Sequence, residues 1–250
     1  MSGLFALDGR VAVVTGASSG IGRHMCGVLA EAGATVVAAA RRADRLEELA
    51  ESHRRIAAEP CDVTSGEDCA RVVALAVALG GPHILVNAAG FGDPVPAFEL
   101  SVDGFRRTLD VDLTAAFEMS LRAAEAMRGG AGGSIVNIAS IFGLVGSWPL
   151  VQAAYCAAKG GLVNLTRQLG AEWAAEGIRV NAIAPGWFPT ELTEETCAGE
   201  QSMQYVRRNT PMGRAGRLDE LDGALLLLAS DAGTYITGQT IAVDGGWTVR

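Results

Sequence analysis

VAVVTGASSGIG, Val11 to Gly22, is the stretch on which the fold turns. Its first five residues are β-branched or small and form an unbroken apolar run, the pattern of a strand buried on both faces. Gly16, Gly20 and Gly22 follow at once, and a helical pattern then runs to about Glu31. Glycines between a strand and a helix permit a tight turn and let backbone N–H groups at the helix N-terminus approach a phosphate. The spacing is G-x-x-x-G-x-G rather than the usual G-x-G-x-x-G of dinucleotide-binding turns.

The same alternation continues along the chain. Apolar strand candidates lie at Thr35–Ala40, Ile84–Ala88, Ser134–Ser140 and Ile178–Ala184, with a weaker one at Arg55–Glu59 and a last one in QTIAVDGG, Gln239 to Gly246. Helical patterns separate them. Strands alternating with helices predict β-α-β units, hence a Rossmann-like doubly wound seven-stranded parallel sheet with helices on both faces, in a single domain over residues 1–250. The one long irregular stretch runs from Pro185 to about Arg217, and a loop of that length predicts either function or partial helix.

Composition excludes several classes. The 250 residues carry a net charge of −8, which argues against binding nucleic acid by bulk electrostatics. Cys26, Cys61, Cys69, Cys156 and Cys197 show no paired spacing and read as reduced thiols, as in a cytoplasmic protein. The three histidines, His24, His53 and His83, have no metal-ligand spacing, so no metal is expected, and His83 reads as structural. The N-terminus lacks a signal-peptide pattern, and ALLLLA at Ala224–Ala229 is too short to span a bilayer.

YCAAK, Tyr155 to Lys159, puts a phenol and an ammonium one helical turn apart on one face. A nearby ammonium favours the phenolate, and such a group can exchange a proton with an alcohol or carbonyl oxygen.

Together with T-G-x-x-x-G-x-G, these residues resemble the short-chain dehydrogenase/reductase family. NAAG (Asn87–Gly90), Ser140, PGWFPT (Pro185–Thr190) and VDGG (Val243–Gly246) fall in that family's order, and the resemblance runs from Leu7 to Trp247. It implies an enzyme in which Tyr155 is the general acid and base. Lys159 would bind the nicotinamide ribose and lower the Tyr155 pKa, and Ser140 would hydrogen-bond the same substrate oxygen. It implies cofactor contacts from Gly16, Ser18, Ser19, Gly20, Ile21 and Gly22, from Asp62 and Val63, from Asn87, Ala88 and Gly90, and from Pro185, Gly186, Phe188 and Thr190, besides Tyr155 and Lys159. One position departs from the pattern: LDVDLT carries Asp112 where the family usually has an Asn that helps hold a lysine-bound water. Asp112 is then a working substitute, a detuned relay, or a helix-packing residue whose family role falls to its backbone.

An NAD-using relative typically has an acidic residue at the end of the second strand. Here Ala40 is followed by Arg41 and Arg42, which suits a 2′-phosphate and favours NADP(H) over NAD, with Arg41 as the main contact. Around the reaction site Phe142, Trp148, Gln152 and Trp187 are candidates to face substrate, and the segment of about 187–215 resembles the family's substrate loop. The expected activity is NADPH-dependent reduction of a ketone to a secondary alcohol. An NAD-linked alcohol or sugar dehydrogenase, a 3-oxoacyl thioester reductase and, more remotely, a non-catalytic dinucleotide-binding regulator remain open. The apolar content of Gly160–Ala174 and the family's habit imply a homotetramer acting on a small molecule, with no membrane partner.

Overall fold

The computed structural model describes residues 3–92, 94–193 and 199–249. Seven strands form one sheet: β1 (Val11–Thr15), β2 (Thr35–Ala40), β3 (Ile56–Pro60), β4 (Ile84–Asn87), β5 (Gly133–Ile138), β6 (Ile178–Pro185) and β7 (Thr240–Val243). All pairings are parallel, and the order is β3-β2-β1-β4-β5-β6-β7. The central strands are apolar on both faces because both faces are covered: every residue of β1 is buried.

One face is packed by α1 (Gly20–Glu31), α2 (Ala43–Ser52) and α8 (Asp222–Ala229), through Met25, Leu29, Leu46, Leu225 and Leu228. The other carries α3 (Gly66–Ala78), α5 (Ala115–Met127) and α6 (Ala153–Glu172), through Val72, Met119, Ala123 and Leu169. The Ala224–Ala229 run is therefore part of an eight-residue helix, α8, that buries Leu225, Leu228 and Ala229. No helix among the described residues is long and apolar enough to cross a membrane. The apolar residues of α6 are largely used inside the chain, with Leu162, Val163 and Leu169 all buried. Among the exposed large apolar side chains, Val102 lies on α4 (Val102–Leu109) and Phe117 and Leu121 lie on α5.

The irregular stretch after β6 is partly helical, with α7 at Glu200–Asn209. Within the described residues Cys26, Cys61, Cys69 and Cys156 are free thiols; Cys197 lies outside them.

The sheet order reverses between β1 and β4. Neighbouring connections there leave to opposite faces, which opens a crevice at the carboxyl ends of the strands.

Candidate active site

The glycine turn forms the floor of one end. Gly16 has φ of +68°, and a Cβ there would stand 2.7 Å from the Ala88 carbonyl oxygen, so the β1 turn and the β4 end close on each other only through glycine. A Cβ on Gly22 would fall 2.4 Å from the Gly16 oxygen. The first turn of α1 has no acidic residue, and the Ser19 cap position makes no side-chain cap bond to it. Its free N–H groups and positive dipole end face the crevice, which suits an anionic group.

Ser18 and Ser19 instead turn their hydroxyls to Arg42, which donates from Nε to Ser18 Oγ (3.1 Å) and from Nη2 to Ser19 Oγ (2.7 Å). Arg42, rather than the exposed Arg41, is thereby the fixed cation of this end. A carboxylate is present as well, contrary to the expectation from Ala40. Glu191, next after Thr190, accepts from Arg42 Nη1 at 3.0 Å and pairs with Arg45. Those two guanidinium groups, Arg45 first, bring the Glu191 carboxyl down to about 2. On the adjoining wall Asp62 accepts the Thr64 hydroxyl (2.7 Å) and N–H (2.9 Å), which hold it below the usual carboxylate range.

The other end is built by β5, α6 and a π-helical turn, Asp110–Thr114, between α4 and α5. Such turns displace a side chain from its α-helical direction and recur at functional sites. Here the displaced residue is Asp112. Its Oδ1 lies 3.1 Å from Lys159 Nζ, with both side chains buried, and its Oδ2 accepts the Phe91 N–H at 3.2 Å. Lys159 also donates to the Ile138 carbonyl at 3.1 Å. A Cβ on Gly90 would stand 2.5 Å from Asp112 Oδ1, so glycine at that position is what lets the pair sit against the β4 end. Asp112 thus meets the lysine directly with its carboxylate.

Tyr155 lies one helical turn before Lys159, whose Nζ is 5.6 Å from the phenol ring centre. The Tyr155–Lys159 spacing by itself implies a net depression of the phenol pKa. The net direction is upward: burial disfavours the phenolate most, and Asp112 adds to it, against the opposite pull of Lys159 and of a hydrogen bond with Ser140. Burial also works against the Lys159 charge, but Asp112 and Tyr155 outweigh it and the ammonium is held above its ordinary value. Ser140 follows β5 by two residues and is buried; its Oγ accepts the Phe142 N–H at 3.1 Å.

A single cleft of about 1030 Å³ joins the two ends. The glycine-turn residues, Arg41, Arg42, Asp62, Val63, Ala88, Gly90, Asp112, Ser140, Tyr155 and Lys159 all line it, as do Pro185, Gly186, Phe188 and Thr190. Phe142, Gln152 and Trp187 line its reactive end. Two expected residues do not. The Asn87 amide is turned into the core, donating to Ser120 Oγ and Asn137 Oδ1, each at 2.9 Å, because a buried amide at the end of a central strand must find partners there. Trp148 is 85% exposed, outside the cleft; its carbonyl accepts the Tyr205 hydroxyl at 3.0 Å.

The cleft also takes in Phe91, Arg107, Val111, Ile138 and Leu150, which the sequence did not single out, and Glu191 and Leu192, which it marked only as part of the substrate loop. Arg107 stands one turn before Val111 and lies over the Phe91 ring at 5.1 Å. Ile138 acts through its carbonyl, which leaves no side-chain signal. Beyond that, only adjacency to Asp112 and Thr190 marks Val111 and Glu191.

The residues present fit a nicotinamide dinucleotide: a glycine cradle at a helix N-terminus, one cleft shared by the cradle and the reactive end, and a phenol, hydroxyl and ammonium at that reactive end. The comparisons agree. A family model described as enoyl-(acyl carrier protein) reductase matches residues 16–248. The chain is 40% identical over 248 residues to galactitol 2-dehydrogenase (L-tagatose-forming) of Cereibacter sphaeroides, with 98% of each covered. It is 40% identical over 244 residues to cis-4-hydroxycyclohexanecarboxylate dehydrogenase of Sinomonas cyclohexanicum, with 96% of each covered. The fold superposes with a TM-score of 0.93 on a gluconate 5-dehydrogenase of Burkholderia cenocepacia, solved with NADP and tartrate; identity is 34% and coverage 98% of both chains. The chain therefore belongs to the short-chain dehydrogenase/reductase family, NAD(P)-binding oxidoreductases that interconvert alcohol and carbonyl groups.

Proposed function

We propose that the protein interconverts a secondary alcohol and its ketone on a small polar skeleton, using NADP(H). The observation that carries this reading is the cleft itself, with Ser140, Tyr155 and Lys159 at one end and Arg41 and Arg42 at the other. The relatives support the substrate class: the polyol, the hydroxycycloalkane carboxylate and the sugar acid in their names each carry a secondary alcohol.

Bound nicotinamide supplies the hydride exchange. The chain handles the proton and the geometry. In reduction, the Tyr155 hydroxyl gives its proton to the substrate oxygen, and its raised pKa keeps that proton in place at neutral pH. In oxidation the phenol first loses its proton and then takes the one from the substrate hydroxyl, so oxidation is favoured by alkaline conditions. Ser140 Oγ donates to the same oxygen and fixes its distance from Tyr155. Lys159, anchored by Asp112 and the Ile138 carbonyl, presents a fixed positive charge to the phenol and a donor to the nicotinamide ribose. Phe142 and Trp187 form an edge-to-face wall, ring centres 5.8 Å apart, beside which Gln152 offers a polar contact.

A second reading, an NAD-linked dehydrogenase of the same substrates, is favoured by one observation: Glu191 already sits on Arg42. The exposed Val102, Phe117 and Leu121 support assembly into the tetramer that the family suggests.

The test is a panel of polyols, hydroxy acids and the matching ketones, followed by the absorbance of reduced nicotinamide with each cofactor. Turnover with NADP(H) and a loss of about 10²–10⁴-fold in kcat for Tyr155→Phe, with cofactor affinity kept, is the expected result. Cofactor binding without turnover of any secondary alcohol or ketone would remove the reading.

A further inference from the structure

We propose that Glu191 is an internal occupant of the cofactor's 2′-phosphate site, and so sets the discrimination between phosphorylated and unphosphorylated dinucleotides. The proposal rests on the cofactor cleft as read above. Its starting point is a contact between distant parts of the chain. Arg42 and Arg45 flank the start of α2, and Glu191 stands 149 and 146 residues further on, in the turn after β6. One carboxylate oxygen takes Arg42 Nη1 and the other takes Arg45 Nη1.

Arg42 is already committed on its other edges, to Ser18 and Ser19. The guanidinium is thus fixed at the glycine turn, with the remaining Nη1 pointed at an anion. That anion is Glu191. A carboxylate bridging two guanidinium groups has the charge and the acceptor geometry of a phosphate ester, but with one negative charge in place of nearly two. The two cannot share the same donors.

The bridge is built to be exchanged. The Arg42, Arg45 and Glu191 side chains are 41%, 37% and 47% exposed, and ion pairs this open to water contribute little to stability. An incoming dianionic phosphate outcompetes such a carboxylate. An unphosphorylated ribose has nothing to offer the arginines and leaves the bridge closed.

The displaced residue does not move alone. Thr190 and Thr193 bond each other (N–H to Oγ1, 3.0 Å), so residues 190–193 form one compact turn. Thr190 packs against the glycine turn, its Cβ 3.3 Å from where a Cβ on Gly20 would lie. Leu192 reaches the opposite wall, 3.7 Å from the same point on Gly92. Opening the Glu191 bridge therefore frees a turn that touches both the nucleotide end and the reactive end of the cleft. Binding at one end is then coupled to the shape of the other, and the coupling is reciprocal.

The experiment is calorimetric titration of the full chain, Glu191→Gln and Arg42→Ala/Glu191→Gln with 2′,5′-ADP, 5′-AMP, NADPH and NADH. Glu191→Gln should tighten 2′,5′-ADP and NADPH about three- to tenfold and leave 5′-AMP and NADH within twofold. The double variant should show no such gain. A ratio of phosphorylated to unphosphorylated affinities that is unmoved by Glu191→Gln overturns the proposal, even where the unsubstituted chain prefers NADPH. An unsubstituted chain that prefers NADH, with a ratio that rises in Glu191→Gln, upholds the proposal and overturns the NADP(H) reading. Amide exchange of residues 188–193 needs no variant: 2′,5′-ADP should accelerate it relative to 5′-AMP, and equal rates overturn the coupling.

Discussion

Replacing Asp112 by Asn tests the electrostatics of the reactive end. At 3.1 Å, two unit charges attract by about 5 kcal/mol at an effective dielectric of about 20. Removing one partner of a buried pair commonly costs about 3–5 kcal/mol. Here the cost should be smaller, about 1–3 kcal/mol, because an Asn oxygen and the Ile138 carbonyl still accept from Lys159. For a chain of this length that is a fall of roughly 3–10 °C in Tm. The effect on chemistry has a definite sign. The Asp112 carboxylate raises the Tyr155 pKa and the Lys159 ammonium lowers it. Losing the carboxylate leaves the ammonium unopposed, so the phenol ionises at lower pH and the rising limb of alcohol oxidation moves toward acid. The opposing outcome requires Lys159 to lose its proton near neutrality. That demands a drop of more than about three units from the usual lysine value, roughly 4 kcal/mol, against two remaining acceptors. The assay is kcat/KM for oxidation from pH 6 to 10 beside a thermal melt. Turnover within about tenfold and an acid-shifted limb are expected. A loss above about a hundredfold in folded protein, or an alkaline shift, would refute the reasoning and give the carboxylate a role of its own.

Three further substitutions probe the frame. His83 accepts the Val11 N–H at Nδ1 (3.0 Å), and burial, then Arg10, hold its pKa below 6.5, so the folded state takes up a proton less readily than the unfolded one. Stability should be full above about 6.5 and decline as pH falls through that value; in His83→Asn, Tm between pH 7 and 5.5 should be flatter. Gly16→Ala forces a side chain onto φ of +68° and into the Ala88 carbonyl; it should lower Tm and abolish measurable nucleotide binding by fluorescence titration. Gly27→Ala, inside α1 with open space around the added methyl, should instead stabilise by about 0.5–1 kcal/mol and raise Tm.

The ends of the elements show where sequence reading loses precision. Ser140 read as the end of a strand, yet β5 stops at Ile138, and the serine caps the short turn that follows. Asn87 sits in the expected motif but its amide serves the core, because Ser120 and Asn137 come within reach only when α5 and β5 pack on β4. Trp148 looked like a wall of the substrate pocket from its place between Ser140 and Tyr155, and the loop carries it outward instead.

Local pattern alone determined the layered sheet, the glycine turn and the Tyr155–Lys159 pair, because each depends on residues within a strand or a helical turn of one another. A buried parallel strand must be apolar on both faces, and an i, i+4 pair must share a helix face. Tertiary packing alone decided which charges meet. The Asp112–Lys159 pair spans 47 positions, and Arg42 finds Glu191 across 149, because separate connections return to the same end of the sheet. Whether a phenol is made more or less acidic, and whether an arginine awaits a ligand or already holds a carboxylate, follows from distances and solvent exclusion, and those exist only once the chain has folded.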